Sequence, residues 1–433
     1  MLKKTALMVC AALSAAPALA APKNIIYMIG DGMGPAYLSA YRYYMDDPAT
    51  KAVERTIFDE LWVGVATTYP DDDTVVTDSA AAATALATTH KTYNGAISVD
   101  HQHHHLTTML EIAKAKGMTT GVVATAQINH ATPASFIAHD PARRNYDAIA
   151  DDFFDNRVDG KAVADLMLGG GTQYFIRKDR NLVEQFKAEG YQYADSWDGL
   201  RKLNKLPAMA LLAPEGFVST IDNPEPAPLR QMTEKALQLM TGNDQGFVVM
   251  IEGSQIDWCG HANDVACAMA EMHDFAESIK VAKAYVDSHP DTLLVITADH
   301  ETGGLSLGAD GQYAWKRDLI KKVKNSGDYI AGQLLPLKDA ASLYQAWLSF
   351  TSLPLSAEEQ QLLVTARAQG QKALAKAVKQ RIDHHSLTGW TSGAHTAIDV
   401  PVLAYGADKA TFAGFQDNTE IAAKLIGFIQ QSK

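Results

Sequence analysis

The chain has 433 residues, a formal net charge of −12 and 47% hydrophobic residues. This negative balance disfavours nucleic acids and anionic membranes as partners, because both carry negative charge themselves. After the first 20 residues the chain has two cysteines, Cys259 and Cys267, which are too few for a disulfide framework. A bond between them would need a favourable turn at Cys259, so we expect free thiols.

The first 20 residues have the pattern of a secretory signal peptide. Lys3 and Lys4 precede an apolar run, Ala6 to Leu13, which is too short to span a membrane as a helix. Cleavage near Ala20 would leave residues 21–433 with a charge of −14, since the removed segment has two lysines and no acidic residue. No later run is long and apolar enough for a membrane span. The sequence therefore predicts a periplasmic or secreted protein.

Short apolar runs alternate with helical patterns along the rest of the chain, which indicates an α/β fold. The predicted buried strands are 24–29, 62–68, 119–125, 247–251, 292–297 and 400–405. The predicted helices include one that starts at Ser79, one over 264–287, one near 357–381 and one over 419–430. The stretch from about 305 to 390 is polar and irregular, and we interpret it as an insertion at the C-terminal edge of the sheet.

Metal-ligand residue types follow or precede these predicted strands. They are Asp31, Glu252, Asp257, His261, Asp299, His300 and His395. The carboxyl ends of parallel strands meet at one edge of a sheet, where ligands bind. Charged groups at buried strand ends need partners, and a mixture of carboxylate and imidazole suits zinc. The set includes no thiolate, which excludes a structural cysteine site.

A polar pair, Asp78-Ser79, opens onto a run of alanines, which is typical of a capped helix start. A serine at a helix N-terminus lies where free N–H groups and the helix dipole favour an anion. A capped helix without further function is the alternative interpretation. Farther along, Arg143 and Arg144 could grip an oxyanion by bidentate hydrogen bonds, although arginine pairs of this kind are often solvated.

A histidine-rich stretch, 101–105, precedes a predicted amphipathic helix. Such a stretch could bind a metal ion through several imidazoles. Polar segments that lead into helices are usually solvated, however, and we expect these histidines to be so.

Several motifs taken together, in this order, resemble the alkaline phosphatase family. They are YMIGDGMG around Asp31, TDSAAAATA around Ser79, His130-Ala131-Thr132, IEGSQIDWCGH around Asp257, Asp299-His300-Glu301-Thr302-Gly303-Gly304, and Gly393-Ala394-His395-Thr396. They span nearly the whole chain that follows the signal. The resemblance implies a three-layer α/β/α sandwich with a mostly parallel central sheet and an inserted crown-like segment, all in one catalytic domain over 21–433. Members are commonly homodimers.

The resemblance also implies two zinc ions and one magnesium ion per chain. The first zinc site would comprise Asp257, His261 and His395, the second Asp31, Asp299 and His300, and the magnesium site Asp31, Thr132 and Glu252. Ser79 matches the nucleophile that accepts the phosphoryl group. Arg143 best matches the arginine that binds phosphate, and Arg144 is the alternative.

Two positions depart from one well-known form of the family, and both would affect the binding of substrate or metal. Asp78, beside the nucleophile, would also affect this binding. His130 stands where some members have aspartate, and Trp258 where some have lysine. His130 removes a carboxylate near the third metal, so we expect weaker magnesium binding than in an aspartate-bearing relative. Trp258 cannot offer a charged contact, so we expect phosphate to be held more weakly.

The implied activity is hydrolysis of phosphate monoesters to alcohol and inorganic phosphate at alkaline pH, through a phosphoserine at Ser79. Four carboxylates and three divalent cations sum to a local charge of about +2, which explains how an acidic protein could bind an anionic substrate. One alternative is a phosphodiesterase or sulfatase-like enzyme of the same superfamily. Another is a periplasmic metal-binding protein without enzymatic activity.

Overall fold

The structure is a computed structural model that describes residues 21–223 and 225–431. The predicted signal peptide, residues 1–20, lies outside the described residues. The strands are β1 (Asn24–Gly30), β2 (Trp62–Thr67), β3 (Thr119–Gln127), β4 (Arg157–Val158), β5 (Lys161–Ala162), β6 (Leu166–Gly170), β7 (Gln192–Ala194), β8 (Ala208–Leu211), β9 (Phe247–Gly253), β10 (Thr292–Thr297), β11 (Glu301–Thr302), β12 (Leu305–Leu307), β13 (Thr388–Trp390), β14 (His395–Thr396), β15 (Val400–Gly406) and β16 (Gly414–Asp417).

Helices connect these strands. They are α1 (Pro35–Met45), α2 (Ile57–Leu61), α3 (Ser79–Thr88), α4 (Met109–Ala115), α5 (Ala131–Ala134), α6 (Tyr146–Asp155), α7 (Thr172–Phe175), α8 (Leu182–Ala188), α9 (Trp197–Lys202), α10 (Pro228–Met240), α11 (Gln255–His261), α12 (Val265–Ser288), α13 (Arg317–Ile320), α14 (Gly327–Leu334), α15 (Ala340–Thr351), α16 (Ala357–Ala368), α17 (Gln371–Ser386) and α18 (Asn418–Gln431). Within the described ranges, none of them is long and apolar enough to cross a membrane.

A large, mostly parallel sheet forms the centre of the molecule. Its strand order is β16-β2-β15-β10-β1-β9-β3-β6-β8-β7, and β15 alone runs antiparallel to its neighbours. The inner strands are apolar on both faces because helices cover both, as is usual for parallel sheets. On one side α1, α10 and α12 pack together, and α3, α4 and α18 form another packed group. The predicted α/β sandwich is confirmed.

The register of the sheet brings the candidate ligands to one edge. Ile29 of β1 pairs with both Glu252 of β9 and Thr297 of β10, so these three strands end at the same level. Asp31 and Asp299 follow directly beyond this level. Because β15 is antiparallel, the segment that enters it, with His395, approaches the same edge. Strand direction therefore gathers residues that lie hundreds of positions apart in the chain.

The stretch predicted as an insertion leaves and rejoins the body of the protein through a two-stranded ribbon. Leu305 of β12 pairs with Trp390 of β13, and helices α13 to α17 lie between these strands. The single helix predicted near 357–381 is wrong, because the structure has two, α16 and α17. Gly370 separates them with a φ of +99°, a left-handed conformation that interrupts a right-handed helix.

The prediction of free thiols is also wrong. Cys259 and Cys267 form a disulfide, with Cα atoms 5.5 Å apart. Asn263, at a φ of +51°, turns the chain sharply between α11 and α12, and the Asp264 N–H donates to the Cys259 carbonyl. This turn brings the first turn of α12 against α11, which is the favourable geometry that the sequence did not reveal.

Candidate active site

Three groups of carboxylate and imidazole side chains meet at the carboxyl edge of the sheet. In each group the candidate ligand atoms lie within 4.8 Å of one another. The groups are Asp257 with His261 and His395, Asp31 with Asp299 and His300, and Asp31 with His130 and Glu252. The first two are the residue sets predicted for the zinc sites, so the structure brings each of these sets together. In the third, His130 accompanies the predicted Asp31 and Glu252.

The two carboxylates of the third group, Asp31 and Glu252, are buried and lack hydrogen-bond partners among the described residues. Within the described ranges, neither oxygen of Asp31 or of Glu252 has a hydrogen-bond partner, nor does the Thr132 hydroxyl. Burial, with the nearby Asp299 charge, raises the pKa of Asp31 well above its usual range. Burial raises the pKa of Glu252 to about 8. Buried oxygens without partners are costly, and this donor set fits a hard divalent cation.

His130 is the unusual member of the third group. It is buried, and its Nδ1 has no partner in the part of the chain that the structure describes. Burial and then the Arg143 charge lower its pKa to about 3, so the imidazole is neutral. Trp258 packs edge-on against it, with ring centroids 5.9 Å apart. His130 therefore offers a neutral nitrogen where a carboxylate would offer charge.

In the first group, hydrogen bonds to backbone carbonyl groups orient both histidine rings. Nδ1 of His261 lies 2.9 Å from the Gly393 carbonyl oxygen, and Nδ1 of His395 lies 2.8 Å from the Thr77 carbonyl oxygen. Burial would raise the pKa of Asp257, but the His395 hydrogen bond and the surrounding imidazoles hold it below its usual range. In both histidines Nε2 is left to face the candidate metal position.

Ser79 lies at the start of α3, beside the second group. The Asp78 side chain caps this helix by accepting from the Ala81 N–H at 3.0 Å. The Ser79 Oγ is 3.1 Å from Nε2 of His300, and the serine is buried. Every residue of α3 is buried, which the short alanine side chains permit. The helix start thus holds the serine hydroxyl close to the second candidate metal group.

Of the two candidate arginines, Arg143 points toward this serine segment. Its Nη1 donates to Asp78 Oδ2 at 2.9 Å, and its Nη2 lies 3.4 Å from His130 Nε2. Burial lowers the pKa of Arg143, but Asp78 more than offsets this and raises it. Arg144 is exposed. Arg143 is therefore the arginine that could contact an anion held at Ser79.

Sequence reasoning missed Glu301 and Thr302, which follow directly after His300. Glu301 accepts a hydrogen bond from the Gly304 N–H at 2.9 Å and another from the Thr396 hydroxyl. The bond from Thr396 joins the segment that carries His395 to the segment that carries His300. Thr302 Oγ1 lies 2.5 Å from Asp257 Oδ1. Both residues belong to the motif Asp299-His300-Glu301-Thr302-Gly303-Gly304, and their position directly after two candidate ligands is the signal in the sequence that points to them.

The histidine-rich stretch takes no part in this site. His101, His103, His104 and His105 are all exposed. None of them belongs to a group of candidate metal ligands in the described ranges. The prediction that they are solvated is confirmed.

Comparison with known proteins agrees with this geometry. The family model described as alkaline phosphatase matches residues 22–431. Alkaline phosphatase 3 of Bacillus subtilis is 46% identical, over 94% of this chain and 89% of its own length.

Solved structures give the same result. A cold-active alkaline phosphatase from a psychrophilic Shewanella species is 46% identical, with a TM-score of 0.89 over 94% of this chain and 99% of its own. A second structure is a histidine-to-aspartate variant of the alkaline phosphatase from the Antarctic bacterium TAB5, with magnesium bound in its M3 site. It is 27% identical, with a TM-score of 0.70 over 95% of this chain and 99% of its own. The chain therefore belongs to the alkaline phosphatase family of metal-dependent enzymes.

Proposed function

We propose that this enzyme hydrolyses phosphate monoesters through a covalent phosphoserine at Ser79, with two zinc ions and one magnesium ion bound. The observation that carries the proposal is a buried serine hydroxyl, at a helix start, that contacts His300 in one of three candidate groups of metal ligands. In this assignment Asp257, His261 and His395 hold one zinc ion, and Asp31, Asp299 and His300 hold the other. Asp31, Thr132 and Glu252 hold magnesium.

The residues of the chain have distinct roles in the proposed reaction. Ser79 Oγ attacks phosphorus in line with the departing alcohol, and water later attacks the phosphoserine from the side that the alcohol has left. Arg143 holds two oxygens of the phosphoryl group, and Asp78 aims the guanidinium. When bound, the metal ions supply Lewis-acid stabilisation to the attacking and leaving oxygens. The helix start supports negative charge on Ser79 through free backbone N–H groups.

Local charge supports an anionic substrate despite the acidic surface of the protein. The carboxylates of Asp31, Glu252, Asp257 and Asp299 contribute about −4 and three divalent cations about +6, which leaves about +2. Surface charges act across water and are screened beyond a Debye length of about 8–10 Å. The field at the site therefore dominates for a phosphate held there.

His130 and Trp258 are proposed to tune metal and product binding. His130 is neutral and replaces a carboxylate, which weakens the attraction for magnesium. In the TAB5 enzyme, a variant with aspartate in place of a histidine has magnesium bound in its M3 site, which is consistent with this proposal. Trp258 offers no positive charge to phosphate.

We further propose that the chain is exported after cleavage near Ala20 and acts as a homodimer, with the stretch from about 305 to 390 as an insertion into one catalytic domain. The signal pattern of residues 1–20 supports export. Size measurement of the purified chain that starts at Ala21 would test the dimer.

The activity is tested by comparing three nitrophenyl substrates on the purified chain loaded with zinc and magnesium. We expect p-nitrophenyl phosphate to turn over much faster than bis(p-nitrophenyl) phosphate or p-nitrophenyl sulfate. Chelation should abolish turnover, and zinc with magnesium should restore it. Faster turnover of the diester or the sulfate would assign the enzyme to another reaction, and metal binding without any turnover would refute the enzymatic assignment.

A further inference from the structure

We propose that the Thr302 hydroxyl is a positioning group that fixes the hydrogen of His300 on Nδ1 and links the two candidate zinc groups through one hydrogen-bond chain. The inference rests on the proposed function, because it assumes that His300 and Asp257 bind metal. Thr302 itself is not among the residues assigned above to any of the three metal ions.

Each of the three histidines in the two candidate zinc groups has a hydrogen-bond partner at Nδ1. In His261 and His395, Nδ1 faces a backbone carbonyl oxygen, at 2.9 and 2.8 Å. A carbonyl only accepts, so each Nδ1 carries hydrogen and each Nε2 is free to bind metal. In His300, Nδ1 instead faces the Thr302 hydroxyl oxygen at 3.2 Å, while Nε2 faces Ser79. His300 is thus the one of the three whose Nδ1 partner is a side chain.

The direction of the hydrogen bonds at Thr302 follows from its second partner. Thr302 Oγ1 lies 2.5 Å from Asp257 Oδ1, and in the proposed function Asp257 binds zinc as a carboxylate. A carboxylate only accepts, so the hydroxyl must donate to Asp257. The hydroxyl has a single hydrogen, and its oxygen can then only accept from His300. The resulting chain runs from His300 Nδ1–H to Thr302 Oγ1–H to Asp257.

The surroundings of Thr302 hold its side chain in place. A Cβ on Gly32 would lie 2.7 Å from Thr302 Oγ1, and a Cβ on Gly260 would lie 3.0 Å from its methyl carbon. The Thr302 N–H donates to the Gly32 carbonyl, and the Tyr37 hydroxyl donates to the Thr302 carbonyl at 2.6 Å. Thr302 also pairs with His395 across the β11–β14 ribbon. The hydroxyl is therefore fixed by packing and by backbone bonds on both sides.

Loss of the hydroxyl would remove one hydrogen-bond partner from each of two buried groups. His300 Nδ1–H would lose its acceptor, so hydrogen could move to Nε2 and block the metal position. Asp257 would lose a donor that orients its carboxylate. Partners of this kind typically contribute 10–100-fold to metal affinity. One substitution should therefore weaken zinc binding in both groups, although Thr302 touches neither ion.

The test compares Thr302→Val, which keeps the shape and removes the hydroxyl, with Thr302→Ser, which keeps the hydroxyl and removes the methyl. Zinc affinity of the chelator-stripped full chain is measured by competition with a chromophoric chelator. Thermal unfolding of the metal-free variants reports whether each one folds. We expect about 10–100-fold weaker zinc binding in Thr302→Val and a change of less than about threefold in Thr302→Ser.

A spectroscopic measurement separates positioning from a general packing role. Histidine labelled with nitrogen-15 in the imidazole ring shows which nitrogen carries hydrogen, and His300→Ala assigns the signal. We expect a slowly exchanging Nδ1–H of His300 in the wild type and in Thr302→Ser, and its loss in Thr302→Val. Unchanged zinc affinity in Thr302→Val, equal weakening in both variants, or an Nδ1–H that survives in Thr302→Val would overturn the inference.

Failure of the proposed function gives a different result. If the wild-type chain binds zinc but does not hydrolyse phosphate monoesters, the catalytic proposal fails while the comparison of zinc affinities still stands. If the wild type hydrolyses the monoester and Thr302→Val binds zinc as tightly as the wild type, the positioning role fails while the catalytic proposal stands.

Discussion

Replacement of Asp78 by asparagine should weaken phosphate binding about tenfold and leave the fold intact. Asp78 Oδ1 accepts from the Ala81 and Gly95 N–H groups, and an asparagine oxygen can accept both, so the cap of α3 persists. The second oxygen accepts from Arg143 Nη1 at 2.9 Å. In Asp78→Asn an amide N–H group would face the guanidinium instead, and Arg143 would lose the group that aims it.

The magnitude follows from the exposure of this ion pair. Hydrogen bonds to charged groups contribute about 1.5–3 kcal/mol when well buried. The side chains of Arg143 and Asp78 are 21% and 24% exposed, so the lower end applies. About 1.4 kcal/mol corresponds to a tenfold change in an equilibrium constant. We therefore expect the inhibition constant for inorganic phosphate to rise about tenfold.

The assay is competitive inhibition by phosphate, with KM and kcat for p-nitrophenyl phosphate measured alongside. KM should rise with the inhibition constant, while kcat is maintained or increases because product leaves sooner. Thermal unfolding serves as the control for the helix cap. Unchanged or tighter phosphate binding in a variant with wild-type stability would refute the argument that Asp78 aims Arg143.

Three further predictions follow from other buried or modulating groups. Substituting His130→Asp adds a carboxylate to the third group and should tighten magnesium binding at least about tenfold, measured by titration of stripped protein; no gain would contradict it. Changing Trp258→Lys should lower the inhibition constant for phosphate about threefold or more, and an unchanged constant would count against it. Burial raises the pKa of Glu271 to about 8, so the metal-free wild type should lose stability as pH rises from about 4.5 to about 8. Urea unfolding at pH 5 and pH 9 measures this loss in the free energy of unfolding, which is about 5 kcal/mol at most in the wild type and should be absent in Glu271→Gln. Equal pH dependence in both proteins would refute the assignment.

The central strands and the clustered ligands could be predicted from the sequence because they depend on local pattern and on one general rule. Apolar runs such as 292–297 mark buried strands, and the carboxyl ends of parallel strands meet at one edge. That rule alone places Asp31 near Asp299 although 268 positions separate them. The observed pairing of Ile29 with Thr297 follows this expectation.

The details that the sequence could not reveal depend on backbone turns. The Cys259–Cys267 disulfide requires a left-handed Asn263, and the break between α16 and α17 requires a left-handed Gly370. A left-handed asparagine or glycine has no distinctive pattern in a single sequence. The position of Thr302 likewise depends on the β11–β14 ribbon, whose two-residue strands are too short to show a period.

The most direct test of the proposed mechanism is to trap the phosphoserine. The metal-loaded wild type and Ser79→Ala are incubated with phosphate at acidic pH, denatured, digested and analysed by mass spectrometry, and turnover of p-nitrophenyl phosphate is measured in parallel. We expect one phosphorylated peptide, modified at Ser79, in the wild type, and neither modification nor appreciable turnover in the variant. Full turnover in Ser79→Ala, or wild-type turnover through a phosphorylated residue other than Ser79, would contradict the mechanism.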